Sequence, residues 1–176
     1  MVGQIPVYYA HKNTGRPANG MVLLDSIAVG AGQTSLGNTS YHLDAGDKPL
    51  FPFGYGLSYS NFSYSTVKIS KTKATMNEKI IVECDITNTG KYDAKEVAQL
   101  YVRDKVASLA RPVRELKGFQ KISLKAGETK NVKFELSSTD LGFWNTDNKY
   151  ITEPGEFQVW ISKDSQSGEA VSFWFE

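Results

Sequence analysis

From residue 62 onward the apolar side chains recur at every second position, and this period limits the chain more than any other feature. Ile80, Val82, Cys84 and Ile86 alternate with Lys79, Glu83, Asp85 and Thr87, and Val132, Phe134 and Leu136 alternate with Lys133 and Glu135. Phe157, Val159 and Ile161 form another row, as do Val171, Phe173 and Phe175, Val67 and Ile69, and Ile122 and Leu124; Ala98, Leu100 and Val102 oppose Gln99 and Tyr101. A period of two puts each row on one face of a strand. Helical spacing is hardly sustained anywhere. About seven strands with one wet face each must bury their other faces on one another, and two stacked antiparallel sheets do this. The expected fold is all-β, an immunoglobulin- or fibronectin III-like sandwich. No internal repeat supports a propeller or solenoid.

Turn chemistry agrees with this reading. Asn88-Thr89-Gly90 ends one row, and Lys125-Ala126-Gly127-Glu128 separates two others, with a glycine free to take positive φ. Residues 1–60 differ: they are rich in Gly, Pro, Asn and aromatics, with few periodic stretches. We divide the chain near Ser60-Asn61, into an irregular N-terminal extension (1–60) and the sandwich (61–176). Phe51-Pro52-Phe53-Gly54-Tyr55-Gly56-Leu57-Ser58-Tyr59 sets four aromatics among glycines and a proline. That spacing excludes a regular helix and suits an irregular strap over an apolar surface.

Composition excludes several classes. With 176 residues, 40% hydrophobic and 22% charged, the chain is of globular type. A formal net charge of +1 provides no basic stripe for nucleic acid. No apolar run reaches the length of a membrane-spanning helix. Met1 to Pro6 lack the charged and apolar regions of a signal peptide. Cys84 is the single cysteine, so no intramolecular disulfide forms, and its apolar neighbours mark it as packed.

A string of motifs resembles the C-terminal part of the family 3 glycoside hydrolases. Gly3 to Tyr9 with His11 to Pro17 is similar to the end of that family's α/β sandwich domain, and Pro49 to Tyr59 to its linker. Asn88 to Gly90, Val97 to Val102, Arg111 to Phe119, Ala126 to Glu128, Phe143 to Asn145 and Glu153 to Phe157 follow in the order of its fibronectin type III-like domain. Met21 to Gly30 departs from the family pattern and reads as an insertion. The resemblance implies a β-glucosidase-like parent, periplasmic or secreted, acting on a β-glucoside or β-xyloside. Its partners would be the parent's upstream catalytic domains.

Retaining glycosidases work with two carboxyl groups about 5 Å apart, a nucleophile and an acid/base. In the family resembled, the Asp nucleophile lies in an N-terminal barrel and the acid/base Glu in the α/β sandwich, and neither position maps onto this sequence. No catalytic residue is therefore assigned, and the chain by itself is expected to be inactive. Glu153 with Glu156, and Asp44 with Asp47, occupy turns, which do not provide the burial a general acid needs. His11 and His42 stand 31 positions apart without ligand-spaced companions, and Asp25, Asp44 and Asp47 make no calcium loop. No metal or cofactor is assigned. Asn38 and Asn61 begin glycosylation patterns, which the bacterial origin implied by the resemblance would make coincidental.

The aromatics carry the remaining functional reading. Trp160 and Trp174 alternate against core rows and so are expected to face outward, exposed. With Phe51, Phe53, Tyr55 and Tyr59 they form the expected interdomain docking set. The alternatives are a carbohydrate-binding module that stacks sugar rings on exposed members of the set Tyr55, Tyr59, Tyr101, Phe143, Trp144, Trp160 and Trp174, and a purely structural immunoglobulin-like domain. Ile5, Val7, Tyr8 and Tyr9 are expected to fold back on the sandwich or to pair with a second copy through an open edge.

Overall fold

The computed structural model describes residues 9–12, 26–31 and 49–176. The expectations that rest on Ile5, Val7, Tyr8, Met21 to Asp25, Asn38, His42, Asp44 and Asp47 lie outside those residues. Among the described residues, eleven strands and one short helix follow in order: β1 Phe62–Tyr64, β2 Lys68–Ile69, β3 Lys73–Ala74, β4 Ile80–Asn88, β5 Ala94–Asp104, β6 Glu115–Leu124, β7 Thr129–Leu136, α1 Ser138–Leu141, β8 Phe143–Trp144, β9 Tyr150–Ile151, β10 Gly155–Ser162 and β11 Val171–Phe175. The seven expected rows fall on β2, β4, β5, β6, β7, β10 and β11. The additional strands are two or three residues long, too short for an alternation to register.

Two layers form the sandwich. In one, β4 is central, pairing with β7 on one side and with β1 and β2 on the other. The other runs β3-β11-β10-β5-β6. All its pairings are antiparallel except β3 with β11, which run parallel. The first strand region thus changes sheets, from β1 and β2 to β3. Both layers aim their apolar rows inward, and Ile80, Val82, Ile86, Ala98, Val159, Phe173 and Phe175 have no exposed surface. Phe157, Phe173 and Phe175 pack ring on ring at centroid distances of 5.6 to 6.2 Å. This is the all-β sandwich that the alternation predicts.

Local chemistry sets the joints. Gly127 takes φ +78°, with Glu128 N donating to Lys125 O at 3.0 Å, and so turns β6 into β7. Between β5 and β6 the register shifts at Leu100/Tyr101, where Leu100 faces Gly118 but Tyr101 faces Leu116, leaving Lys117 as the extra residue of a bulge. Asn88, read as part of a turn, proves to be a buried pin at the end of β4. Its Oδ1 accepts from Ser60 Oγ (2.6 Å) and Gly90 N (3.0 Å), and its Nδ2 donates to Tyr92 O (2.8 Å) and Leu124 O (3.2 Å).

One expectation fails. Trp160 faces away from the central core, as the alternation requires, but it is not exposed: only 7% of its surface is accessible. Tyr101, its cross-strand neighbour, has none. The outer face of β5 and β10 is roofed by other parts of the same chain, which a period-two reading of single strands does not register. Trp174, on the outward side of β11, stays 46% exposed.

Candidate docking face and groove

The roof is the strap. Pro52 to Tyr55 form a β-turn, with Tyr55 N donating to Pro52 O at 3.0 Å and Gly54 at φ +83° in the position that favours glycine. The turn is fixed to the sheet by its backbone: Ser165 N donates to Phe53 O (2.9 Å) and Gln99 Nε2 to Gly54 O (3.0 Å). Gln99 Nε2 also reaches Lys163 O at 2.6 Å, and its Oε1 accepts from Tyr101 Oη at 2.6 Å. One buried amide therefore ties strap, sheet and the loop after β10 together. A Cβ on Gly54 would collide with that amide.

Aromatic and cationic contacts complete the roof. Tyr9 stacks on Phe53 (4.0 Å between centroids, 11°) and meets Tyr101 edge-on at 6.3 Å. The backbone beside Tyr9 joins the sandwich where Val113 N donates to His11 O at 2.9 Å. Arg114 lies over the Trp160 ring at 4.2 Å and over Tyr101 at 5.7 Å, and its Nη1 donates to Ser165 O (2.7 Å) and Ser167 O (2.9 Å). Desolvation lowers the guanidinium's pKa, yet the stacked, forked geometry suits an arginine and no other cation. Burial likewise pushes the Tyr101 phenol up to about 12.

The strap's other side faces solvent. Leu57 is 91% exposed, Tyr59 97% and Phe51 63%, and Phe53 and Tyr55 keep nearly half their surface accessible. An apolar row held rigidly from behind and open in front has the form of an interaction surface. Of the six expected docking residues, Phe51, Phe53, Tyr55 and Tyr59 share this strap. Trp174 stands apart on β11, and Trp160 lies beneath Arg114. Between strap and sheet runs a groove of about 510 Å³, lined by Tyr55, Leu57, Phe62, Lys95, Glu96, Val97, Lys121, Lys163 and Asp164 among others.

Among the described residues, the turn carboxylates Glu153 and Glu156 show no general-acid geometry. Glu153 accepts from Ser108 N at 2.8 Å and from Ser108 Oγ, and these bonds hold it below the ordinary carboxylate range. Glu156 is held low by Lys105 at 2.8 Å and by Ser172. Asp164 is buried, which raises its pKa, but bonds from Ser167 Oγ, Gln166 N and Ser167 N outweigh burial and lower it. Asp104 and Glu96 are raised, chiefly by burial. Asp104 sits in an ion cluster with Arg111 and Glu115, and the Arg111 guanidinium lies 4.6 Å from the Phe143 ring centroid. Burial lifts the Cys84 thiol to about 11, so it stays protonated. His11 is exposed, its Nδ1 3.0 Å from Lys12 O. Among the described residues no three His, Cys, Asp or Glu side chains group to hold a metal ion. No helix among them is long and apolar enough to cross a membrane.

Sequence reasoning missed Gln99, Arg114 and Asn88. Gln99 and Arg114 act at sites assembled from elements far apart in the chain, and nothing in their neighbours announces this.

Comparison with known proteins agrees with the geometry. Residues 96–165 match the fibronectin type III-like domain. The chain is 44% identical over 172 residues to a periplasmic β-glucosidase of Salmonella typhimurium, covering 98% of itself and 21% of that protein. It is 40% identical to a β-xylosidase of Formosa agariphila, with 96% and 21% covered. A β-glucosidase of Listeria innocua, solved with laminaribiose, superposes with a TM-score of 0.83 at 37% identity, over 99% of this chain and 22% of that one. The chain belongs to the family 3 glycoside hydrolases. It spans about a fifth of the length of the family 3 relatives it matches.

Proposed function

We propose that this chain is the non-catalytic, docking part of a retaining β-glycosidase, with residues 1–60 as the remnant of a preceding α/β sandwich domain and linker, and 61–176 as the domain that supports and orients the catalytic domains. The observation that carries it is the strap: its backbone is fixed to the sandwich while Phe51, Leu57 and Tyr59 stay bare to solvent. Folding leaves such a row exposed only at a cost, since each apolar side chain gains about 1.5–3 kcal/mol when fully buried. Phe53, Tyr55 and Trp174 belong to the same docking set, and Trp160 supports it from below. The substrate of the parent is a β-glucoside or β-xyloside, and its location is periplasmic or secreted. Self-association through the N-terminal segment is a property of the separated chain in this reading.

Geometry favours docking over saccharide binding. Of the aromatics the saccharide reading would use, Tyr101, Phe143 and Trp160 are buried, and the exposed Trp144 on the β8–β9 hairpin meets Tyr150 edge to face at 66°, so it offers no flat platform. The test compares the intact parent with a Leu57→Ser/Tyr59→Ser variant. The variant is expected to lose stability of the assembled enzyme and turnover of an aryl β-glucoside, while the same changes leave the isolated chain's stability within about 0.5 kcal/mol. Purified chain alone is expected to show no turnover and no calorimetric heat with cello- or xylo-oligosaccharides. Turnover by the chain, or a parent indifferent to both substitutions, would sink the proposal.

A further inference from the structure

Arg111-Pro112-Val113-Arg114, in the loop between β5 and β6, makes contacts in two directions. Its middle residues hold the N-terminal segment: Lys12 bridges to Pro112, and Val113 N donates to His11 O at 2.9 Å. Its two arginines turn back onto the sandwich, Arg114 over Trp160 and Arg111 over Phe143. Arg114 ends on two backbone carbonyls. Arg111 is less completely met. Its Nη2 donates to Glu115 Oε2 at 3.3 Å, but its buried Nε–H has no acceptor among the described residues. Asp104, at the end of β5, has the opposite need. Its side chain is only 6% exposed, and its Oδ1 is buried without a donor among the described residues. The Val106 backbone reaches this carboxylate, though not at Oδ1. Asp104 Oδ2 stands 3.9 Å from Arg111 Nε, too far for a direct hydrogen bond.

A donor and an acceptor thus lie near each other unmatched, where burial makes that costly. A polar contact at such a separation is commonly bridged by water. Both groups line a cavity of about 10 Å³, walled by Val102, Pro112, Leu141 and Phe157. That is about the volume of one water-sized sphere, and a buried water needs at least two polar partners. Charge narrows the occupant further. A cation would sit against Arg111 and Lys117, and an anion against Asp104 and Glu115. Water suits both sides, donating to Asp104 Oδ1 and accepting from Arg111 Nε–H.

We propose that Asp104 and Arg111 bind a single buried water, which bridges β5 to the loop that receives the N-terminal segment. Fixing Arg111 fixes the start of the stretch whose next two residues meet Lys12 and His11, so the site holds that joint in place. The proposal is independent of the docking reading and is tested on this chain alone.

The test records water-to-protein NOE and ROE spectra of the isotope-labelled full chain. Arg111 Hε is expected to show water cross-peaks of opposite sign in the two, the signature of a long-lived bound water that proton exchange does not give. A crystal structure of the same chain should show one water oxygen within hydrogen-bond distance of Asp104 Oδ1 and Arg111 Nε. Asp104→Leu should abolish the signature and speed deuterium exchange at the Val113 amide several-fold, while the amides of β4 stay protected and so report an intact fold. Should that variant fail to fold, Asp104→Asn, close in shape but a weaker acceptor, is expected to raise the same rate by a smaller factor. Absence of the signature in the native chain, an ion in the cavity, or a direct bond between Asp104 and Arg111 overturns the site. An unchanged Val113 rate in the folded variant overturns its hold on the joint.

Discussion

Asn88 has no accessible surface, yet all of its amide hydrogen-bonding directions used here are met by groups from four places in the chain. Truncation to alanine leaves the Leu124 carbonyl buried without its donor and frees Ser60. Asn88→Ala is therefore expected to cost about 2–4 kcal/mol, read by urea denaturation; a loss below about 1 kcal/mol would contradict the pin. Glu96 yields a prediction in pH. Burial raises its carboxyl above the ordinary 4.5, against the opposing pull of Tyr64 and Lys163. A raised folded pKa gives stability that is fully present below the unfolded value and lost as pH rises through the folded value. At neutral pH the ionised Glu96 is thus a burden on the fold. Glu96→Gln keeps an acceptor for Tyr64 Oη and removes the charge, so the variant should gain on the native chain at pH 7, and the gain should shrink toward pH 4. Equal differences at the two pH values would refute the assignment.

Two glycines distinguish the elements they serve. Gly127 and Gly54 both have positive φ, but a Cβ on Gly127 meets nothing within 4 Å, while one on Gly54 strikes the Gln99 amide. Gly127→Ala should cost about 1 kcal/mol from backbone strain alone and leave the strap in place. Gly54→Ala should detach the strap from β5, exposing Phe51 to Tyr59 to limited proteolysis while the sandwich keeps its β-sheet circular dichroism. Similar protease patterns for the two variants would show that the strap is not held at Gln99. The strap's aromatic composition was readable from sequence, as were the rows of β4, β7, β10 and β11. The short pairings β1, β3, β8 and β9 were not. Two or three residues hold too little pattern, and tertiary partners decide their pairing.

For the molecule as a whole, the proposed division near residue 60 crosses several bonds. Ser60 Oγ donates to Asn88 Oδ1, and Phe53 O accepts from Ser165 N in the loop after β10. A polypeptide of residues 61–176 is expected to fold, because both sheets and their core lie within it. It should unfold at lower denaturant than the full chain, with red-shifted tryptophan emission as the roof over Trp160 and Tyr101 loosens. Identical midpoints and spectra would mean that residues 1–60 contribute nothing to the sandwich. The candidate site was only half legible for the same reason. Which aromatics were available could be read from their spacing, but the fate of Trp160 depended on Arg114, 46 positions away, folding over it.

Sequence alone determined the layered β architecture, because an alternation of period two leaves each strand one apolar face, and only a second sheet can cover it. Tertiary structure decided which outward residues stay outward. The strap, which Gln99 of β5 holds, and Arg114 come from distant positions and cover one end of the sheet, leaving Trp174 bare at the other. Exposure is a property of what lies opposite a residue in space, and one strand's pattern carries no record of it.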